Sequence, residues 1–323
     1  MTSHDGAETT AQEAIQGIDL SGRNAFVTGA SGGLGAETAR VLAGAGAAVT
    51  LAARDLEKAE GVAAEIRTST GNDQVSVTPL ELTDLQSVRA CAQTWIASKQ
   101  PLHLLINNAG LMACPLQRTP AGYESQLATN HIGHFLLTCL LVPALKLDPP
   151  ARIINLSSAG HRFSGLDFED PHYEKRDYDK WEAYGQSKTA NILFSVELDR
   201  RLSPQGIRAL SVHPGMIMTE LGRHLGPSDI KELMSRTPRR QGEGGGGPSW
   251  KTVEQGAATS VWAATSPDLA GRGGLYCLDC RVVEPGGDEN DMNGVSDYAL
   301  DEAAARKLWT LSEKWVEDRF DLT

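Results

Sequence analysis

Through most of this chain, short apolar runs alternate with longer stretches whose apolar residues recur at helical spacing. The runs at 23–28, 48–53, 75–80, 102–107, 152–157, 207–213 and 274–278 read as strands. The segments running to 42 and at 56–68, 85–98, 123–145 and 181–202 read as helices. Alternation of β and α over this length argues for an α/β fold, a doubly wound parallel sheet of about seven strands with helices on both faces. The polar stretch 1–20 reads as a flexible tail, and 21–323 as a single domain. The pattern breaks at 222–250, where a helical piece at 227–235 precedes Arg239-Arg240 and a glycine run at 242–248. The region 216–250 therefore reads as a mobile flap. A helix at 301–316 closes the chain, and no repeat of solenoid period is visible.

Composition narrows the classes. The chain has 323 residues, 41% of them hydrophobic, and a net charge of −11. Such acidity argues against a nucleic-acid groove and against attraction to an anionic membrane. The N-terminus has neither a basic start nor an apolar core, so no signal or membrane anchor is expected. The longest apolar run, 135–145, is too short to span a bilayer and contains Pro143, so it reads as a buried helix or a subunit interface. Five scattered cysteines, an odd number, suit a reducing cytoplasm.

The chemistry begins at Thr28-Gly-Ala-Ser-Gly-Gly-Leu-Gly35, which follows the first strand and opens a helix. Glycines let the backbone approach a pyrophosphate, and a helix N-terminus offers it free N–H groups. Gly29, Ser31, Gly33, Leu34 and Gly35 are thus candidate cofactor residues in a Rossmann-type sheet. An NAD site would carry an acidic residue at the end of the second strand; Ala53 stands there, followed by Arg54, with Lys58 one turn on. A missing carboxylate and an added guanidinium favour a 2′-phosphate, hence NADP(H), with NAD(H) kept open by Asp55 alongside.

Tyr184 and Lys188 are four residues apart, on one helix face. Bringing a phenol from a pKa of about 10 to about 7 needs roughly 4 kcal/mol, which a partly buried ammonium about 4–5 Å away can nearly supply. Ser157 and Ser158 end a strand at its carboxyl edge, where open α/β sheets bind ligands. A serine hydroxyl and a tuned phenol make a donor pair for one substrate oxygen. Taken singly, each residue has a plainer role as a cap or a surface pair; jointly and in this order they point to a site.

Together, Thr28–Gly35, Asn107-Asn-Ala-Gly110, Asn130, Asn155-Leu-Ser-Ser158, Tyr184-x-x-x-Lys188 and His213-Pro-Gly-x-x-x-Thr219 resemble the short-chain dehydrogenase/reductase family over roughly 18–280. Finer details resemble its retinol-dehydrogenase-like branch: Ala53-Arg-Asp55, the run from Asn130 to Thr138, and Leu275-Tyr-Cys-Leu-Asp-Cys280. The resemblance implies a catalytic set of Asn130, Ser158, Tyr184 and Lys188. Tyr184 would move the proton, Ser158 would hold the substrate oxygen, Lys188 would hold the nicotinamide ribose and lower the tyrosine pKa, and Asn130 would position a relay water. It places Asn107, Ala109 and Gly110 near the adenosine ribose, and Glu81 and the Leu82 N–H near the adenine. Pro214, Gly215, Ile217 and Thr219 would run along the nicotinamide. It also implies homodimers or homotetramers through the Asn130 and Tyr184 helices.

Other features are set aside. Cys277 and Cys280 have redox or zinc spacing without further ligands, and His131 and His134 lack acidic neighbours, so no metal is expected. His161 is read as facing the substrate entrance. Met112, Phe163, Met216 and Met218 suggest an apolar pocket for a small hydrophobic carbonyl or alcohol substrate. The expected activity is NADP(H)-dependent interconversion of a carbonyl and an alcohol. The alternatives are an NADP sensor without turnover and a C=C reductase.

Overall fold

A computed structural model describes residues 6–223, 225–236, 250–285 and 294–322. The strands are β1 (Asn24–Thr28), β2 (Ala48–Ala53), β3 (Val75–Pro79), β4 (Leu104–Asn107), β5 (Ala151–Leu156), β6 (Ile207–His213), β7 (Met216–Ile217), β8 (Trp250–Lys251), β9 (Leu275–Leu278) and β10 (Arg281–Val282). The helices are α1 (Ala11–Ala14), α2 (Gly33–Gly44), α3 (Leu56–Thr70), α4 (Leu85–Ala97), α5 (Ser125–Leu127), α6 (Gly133–Leu145), α7 (Lys180–Leu202), α8 (Pro227–Arg236), α9 (Val253–Thr265), α10 (Asp297–Leu300) and α11 (Glu302–Trp315).

Eight strands form one sheet in the order β10-β9-β6-β5-β4-β1-β2-β3, all pairs parallel except the β9–β10 hairpin. The sheet is thus one strand wider than the sequence pattern suggests, because β10 is only two residues long and leaves no periodic signal. Every residue of β4 is buried, as a strand covered on both faces requires. One apolar layer packs α4, α6, α7 and α11 on the sheet; the other packs α1, α2, α3 and α9 on its reverse.

Chain order reverses between β1 and β4, and this switch point opens the crevice at the carboxyl ends of the strands. The glycine loop after β1 and the segment 108–112 after β4 flank it. Capping fixes several helix starts. Asp179 accepts from the N–H groups of Trp181 and Glu182, which sets where α7 begins and so where its side chains point.

Two expectations are corrected here. Part of the stretch read as a tail is ordered: Thr10 and Glu13 form a reciprocal cap on α1, and Ala11, Ile15 and Leu20 join the core cluster containing Val261 of α9. The apolar run is longer than it looks, because α5, a π-helical turn at Ala128–Ile132 and α6 form one helical run, Ser125–Leu145. Among the described residues this run alone is long and apolar enough to cross a membrane, yet the fold buries it against α4, α7 and α11. Finally, α11 covers the outer side of that run and of α7. Trp309 packs on Phe135 at 4.9 Å between ring centroids, and Arg201 lies over it at 4.1 Å. Ser312 hydrogen-bonds His131 at 2.7 Å. The helices through which the family resemblance implies association thus carry the chain's own C-terminal helix on part of their outer side. Residues 237–249, including Arg239-Arg240 and the glycine run of the expected flap, lie outside the described residues.

Candidate active site

A cleft of about 830 Å³ opens over the switch point. Its floor is the glycine loop. A Cβ at Gly35 would lie 2.5 Å from both Asn108 Nδ2 and the Gly29 carbonyl oxygen, so only glycine lets the loop close this tightly. Asn108 holds that loop from β4, donating through Nδ2 to the Thr28 carbonyl at 2.8 Å. The Thr28 hydroxyl accepts from the Asn108 and Ala109 N–H groups and donates to His134 Nε2 at 2.8 Å. His134 thereby ties α6 to the cofactor end of β1, and burial pushes its imidazole down to about 4, keeping it neutral. Asn108 and His134 were invisible as loop supports from sequence, because their partners lie dozens of residues away.

Gly29, Ser31, Gly33, Leu34, Gly35, Arg54, Glu81, Leu82, Ala109, Gly110, Ser158, Tyr184, Lys188, Pro214, Gly215, Ile217 and Thr219 all line the cleft. Asn107 does not. Its amide donates to Thr138 Oγ1 and Asn155 Oδ1 at 2.9 and 2.8 Å, so it cross-links β4, β5 and α6 inside the core; the expectation that it faces the cofactor is corrected. Arg54 sits 3.4 Å from Glu81, and Lys58 sits 2.6 Å from Glu220, giving two cations where β2 and α3 border the cleft. Glu81 is also held by the Thr83 N–H and hydroxyl.

At the other end stands α7. The Tyr184 ring and the Ser158 hydroxyl both border Gly160 and line the cleft, and the Ser158 hydroxyl accepts from the Gly160 N–H at 3.0 Å. A Cβ at Gly160 would fall 2.6 Å from the Tyr184 ring, so glycine is what lets this loop lie against the phenol. Lys188 donates to the Leu156 carbonyl at 3.0 Å, and its ammonium lies 5.6 Å from the centre of the tyrosine ring. The electrostatics correct the sequence argument. Burial pushes Tyr184 up to about 12 and Lys188 down to about 7, so the lysine does not bring the phenol toward neutrality in the protein alone.

Asn130, in the π-helical turn, does not line the cleft. Its Oδ1 accepts from the Leu111 N–H at 2.8 Å, and its Nδ2 donates to the Leu111 carbonyl and to Ser187 Oγ. Its own carbonyl accepts from His134 Nδ1 at 3.1 Å. The residue thus clamps α7 to the segment after β4. His161, expected at the entrance, is instead fully buried behind Ser158. Cys277 in β9 and Cys280 in the turn to β10 have thiols that burial pushes up to about 12 and about 11, so neither is a reactive thiolate. Among the described residues no cluster with metal-ligand character occurs.

Met112, Phe163, Met216 and Met218 line the outer cleft, joined by Leu221, Leu225, Ile230 and Leu233 from the segment after β7 and from α8. Lys180 at the start of α7 pairs with Asp229 of α8 at 2.5 Å, which seats that helix beside the site.

A glycine-floored crevice at a sheet switch point, with a hydroxyl, a phenol and an ammonium at its far end, defines a nicotinamide-dependent oxidoreductase. The short chain dehydrogenase family model matches residues 23–229, and the chain belongs to that family. Within it the chain falls in the retinol dehydrogenase branch. It is 41% identical to human retinol dehydrogenase 12 over 295 residues, covering 91% of this chain and 86% of that protein. A "Probable oxidoreductase" of Streptomyces lividans is 45% identical over 296 residues, covering 90% and 97%. Among solved structures, an uncharacterised protein from Mycobacterium paratuberculosis superposes with a TM-score of 0.72 at 34% identity, covering 95% of this chain and 98% of that one. The Pseudomonas aeruginosa RhlG/NADP complex superposes with a TM-score of 0.63 at 26% identity, covering 80% and 95%. The protein is an NAD(P)-dependent dehydrogenase/reductase.

Proposed function

We propose that the protein interconverts a carbonyl and an alcohol on a hydrophobic substrate, with NADP(H) as its hydride carrier and Tyr184 as the proton donor and acceptor. One observation carries this: Ser158 and Tyr184 stand together around Gly160 at the end of a cleft whose other end is a glycine cradle. The cradle, closed too tightly for a side chain at Gly35, fits a pyrophosphate on the α2 N-terminus. Arg54 and Lys58 fit a 2′-phosphate, and the Pseudomonas aeruginosa RhlG neighbour is an NADP complex. When bound, the nicotinamide supplies the hydride. Ser158 orients the substrate oxygen, and Tyr184, neutral with its proton held up to about 12, donates to that oxygen in the reductive direction. Lys188 fixes the ribose end beside Leu156 and Gly110. The apolar outer wall favours a hydrophobic ketone, aldehyde or secondary alcohol, in keeping with the retinol dehydrogenases among its relatives.

Tyr184→Phe is expected to lower turnover by roughly 10²–10⁴-fold while leaving NADPH binding intact. Steady-state rates over a panel of hydrophobic aldehydes and ketones, with a parallel NADPH fluorescence titration, check this. Wild-type turnover in the variant overturns the assignment. NADPH binding by the wild type with no turnover of any panel member would favour a sensor.

A further inference from the structure

His161 is wholly buried, does not line the cleft, and has every polar group engaged. Its Nδ1 lies 2.7 Å from the Ser158 carbonyl oxygen, an acceptor only, so Nδ1 carries the proton. Its Nε2 lies 3.2 Å from the Ser296 N–H, a donor only, so Nε2 offers its lone pair. A single neutral tautomer satisfies both. The main-chain N–H of His161 also donates to the Ser158 carbonyl at 3.1 Å, while its own carbonyl accepts from the Tyr298 hydroxyl at 2.7 Å and from Thr189 of α7.

We infer that His161 is a positioning residue that couples the C-terminal segment 295–300 to the backbone carrying Ser158, and thereby sets the geometry at which Ser158 and Tyr184 meet. The inference rests on the catalytic reading of those two residues. A hydrophobic side chain would fill the same space, and the imidazole is distinguished by two directed bonds of opposite sense, one to Ser158 and one to Ser296, 135 residues along the chain from the imidazole. The far anchor is firm. Val295 and Ala299 are buried in a cluster with Ile192 of α7, Tyr276 and Leu278, and the Tyr276 ring packs on the imidazole at 5.2 Å. The near end is exacting. The Gly160 N–H donates to the Ser158 hydroxyl, and Gly160 leaves no room for a side chain against the Tyr184 ring, so a shift of the Ser158 backbone is passed to both side chains. Burial and the neighbouring Arg162 push the imidazole down to about 4, which keeps the bridging tautomer in place.

Four substitutions separate the two ends. His161→Asn keeps a donor near Nδ1, and His161→Leu keeps neither bond. Ser296→Pro deletes the N–H at a φ of −76°, which proline accepts, while Ser296→Ala removes the hydroxyl alone. In the NADPH-bound protein with nonanal as the probe, His161→Leu and Ser296→Pro are expected to lower kcat by roughly 10–100-fold with NADPH affinity unchanged. His161→Asn recovers most of that loss, and Ser296→Ala behaves as wild type. Two readouts need no turnover. In ¹⁵N-histidine spectra the His161 proton resides on Nδ1, and amide exchange across 158–163 speeds up in His161→Leu. An Nε2-protonated ring, unchanged exchange, an unchanged kcat in His161→Leu, or a parallel loss of kcat and NADPH binding overturns the inference. Tyr184→Phe run alongside keeps the two readings apart: if it turns over nonanal as wild type does, the catalytic assignment falls, whereas an inactive Tyr184→Phe beside a fully active His161→Leu removes only the role of His161.

Discussion

At Lys188 and Tyr184 the cost of burial exceeds the attraction between the two groups. An ammonium with its pKa brought down to about 7 carries a full charge only part of the time near neutrality, so its pull on the phenolate is weak. The linkage has a definite sign. Lys188 is depressed from about 10.5 in the unfolded chain, so as pH falls through this range the unfolded state takes up the proton first. The penalty is present in full below about pH 7, fades as pH rises, and is gone above about 10.5. Lys188→Met should therefore be more stable than wild type at pH 6.5, and its advantage should shrink by a few kcal/mol by pH 9.5, at about 1.4 kcal/mol per pKa unit. Urea melts of both proteins at the two pH values check this. Arg54 is exposed, with Glu81 as its partner, so its replacement should leave the fold alone. Arg54→Ala is expected to weaken NADPH binding on the order of tenfold and to leave NADH binding unchanged. Fluorescence titration with both nucleotides reads the difference.

Among the elements, α7 and α11 depend on each other. α7 is buried on nearly all sides, which a helix at the surface of a sheet cannot achieve against the sheet alone. α11 supplies the missing cover through Trp309, and the Tyr123 hydroxyl donates to the Trp315 carbonyl at 2.6 Å. Trp309→Ala should cost about 3–5 kcal/mol, measured as a shift in the urea midpoint, and should loosen the far end of the helix that carries Tyr184. The core of α7 was legible because the Tyr–Lys spacing fits one face. The π-helical turn at Ala128–Ile132 was not legible, because its wider turn reflects what Asn130 and His134 clamp in three dimensions rather than any local preference. Helix α1 was missed for a related reason: four residues cannot hold a helix by propensity, and α9 supplies the surface they pack on.

For the whole molecule, the covered α6/α7 face bears on assembly. We expect sedimentation to give a single-chain species, because association through these helices would first require α11 to leave Phe135 and Phe194 exposed; a dimer at micromolar concentration would contradict this. The order of the sheet also explains why the glycine loop, Ser158 and Tyr184 share one cleft. β1, β4 and β5 are neighbours; the carboxyl ends of β1 and β5 carry the glycine loop and Ser158 to one edge, and α7, the next long helix after β5, brings Tyr184 there.

The sequence by itself determined the alternating elements, the glycine loop, the Ser–Tyr–Lys constellation and the basic residue after β2. Each is local, written in spacing and residue type within a few turns of chain. Tertiary structure alone decided the eighth strand, the inward turn of Asn107, the burial of His161 and Asn130, the cover of α11, and the protonation balance of Tyr184 and Lys188. These depend on which distant groups meet and how completely water is excluded around them, and spacing along a chain carries neither quantity.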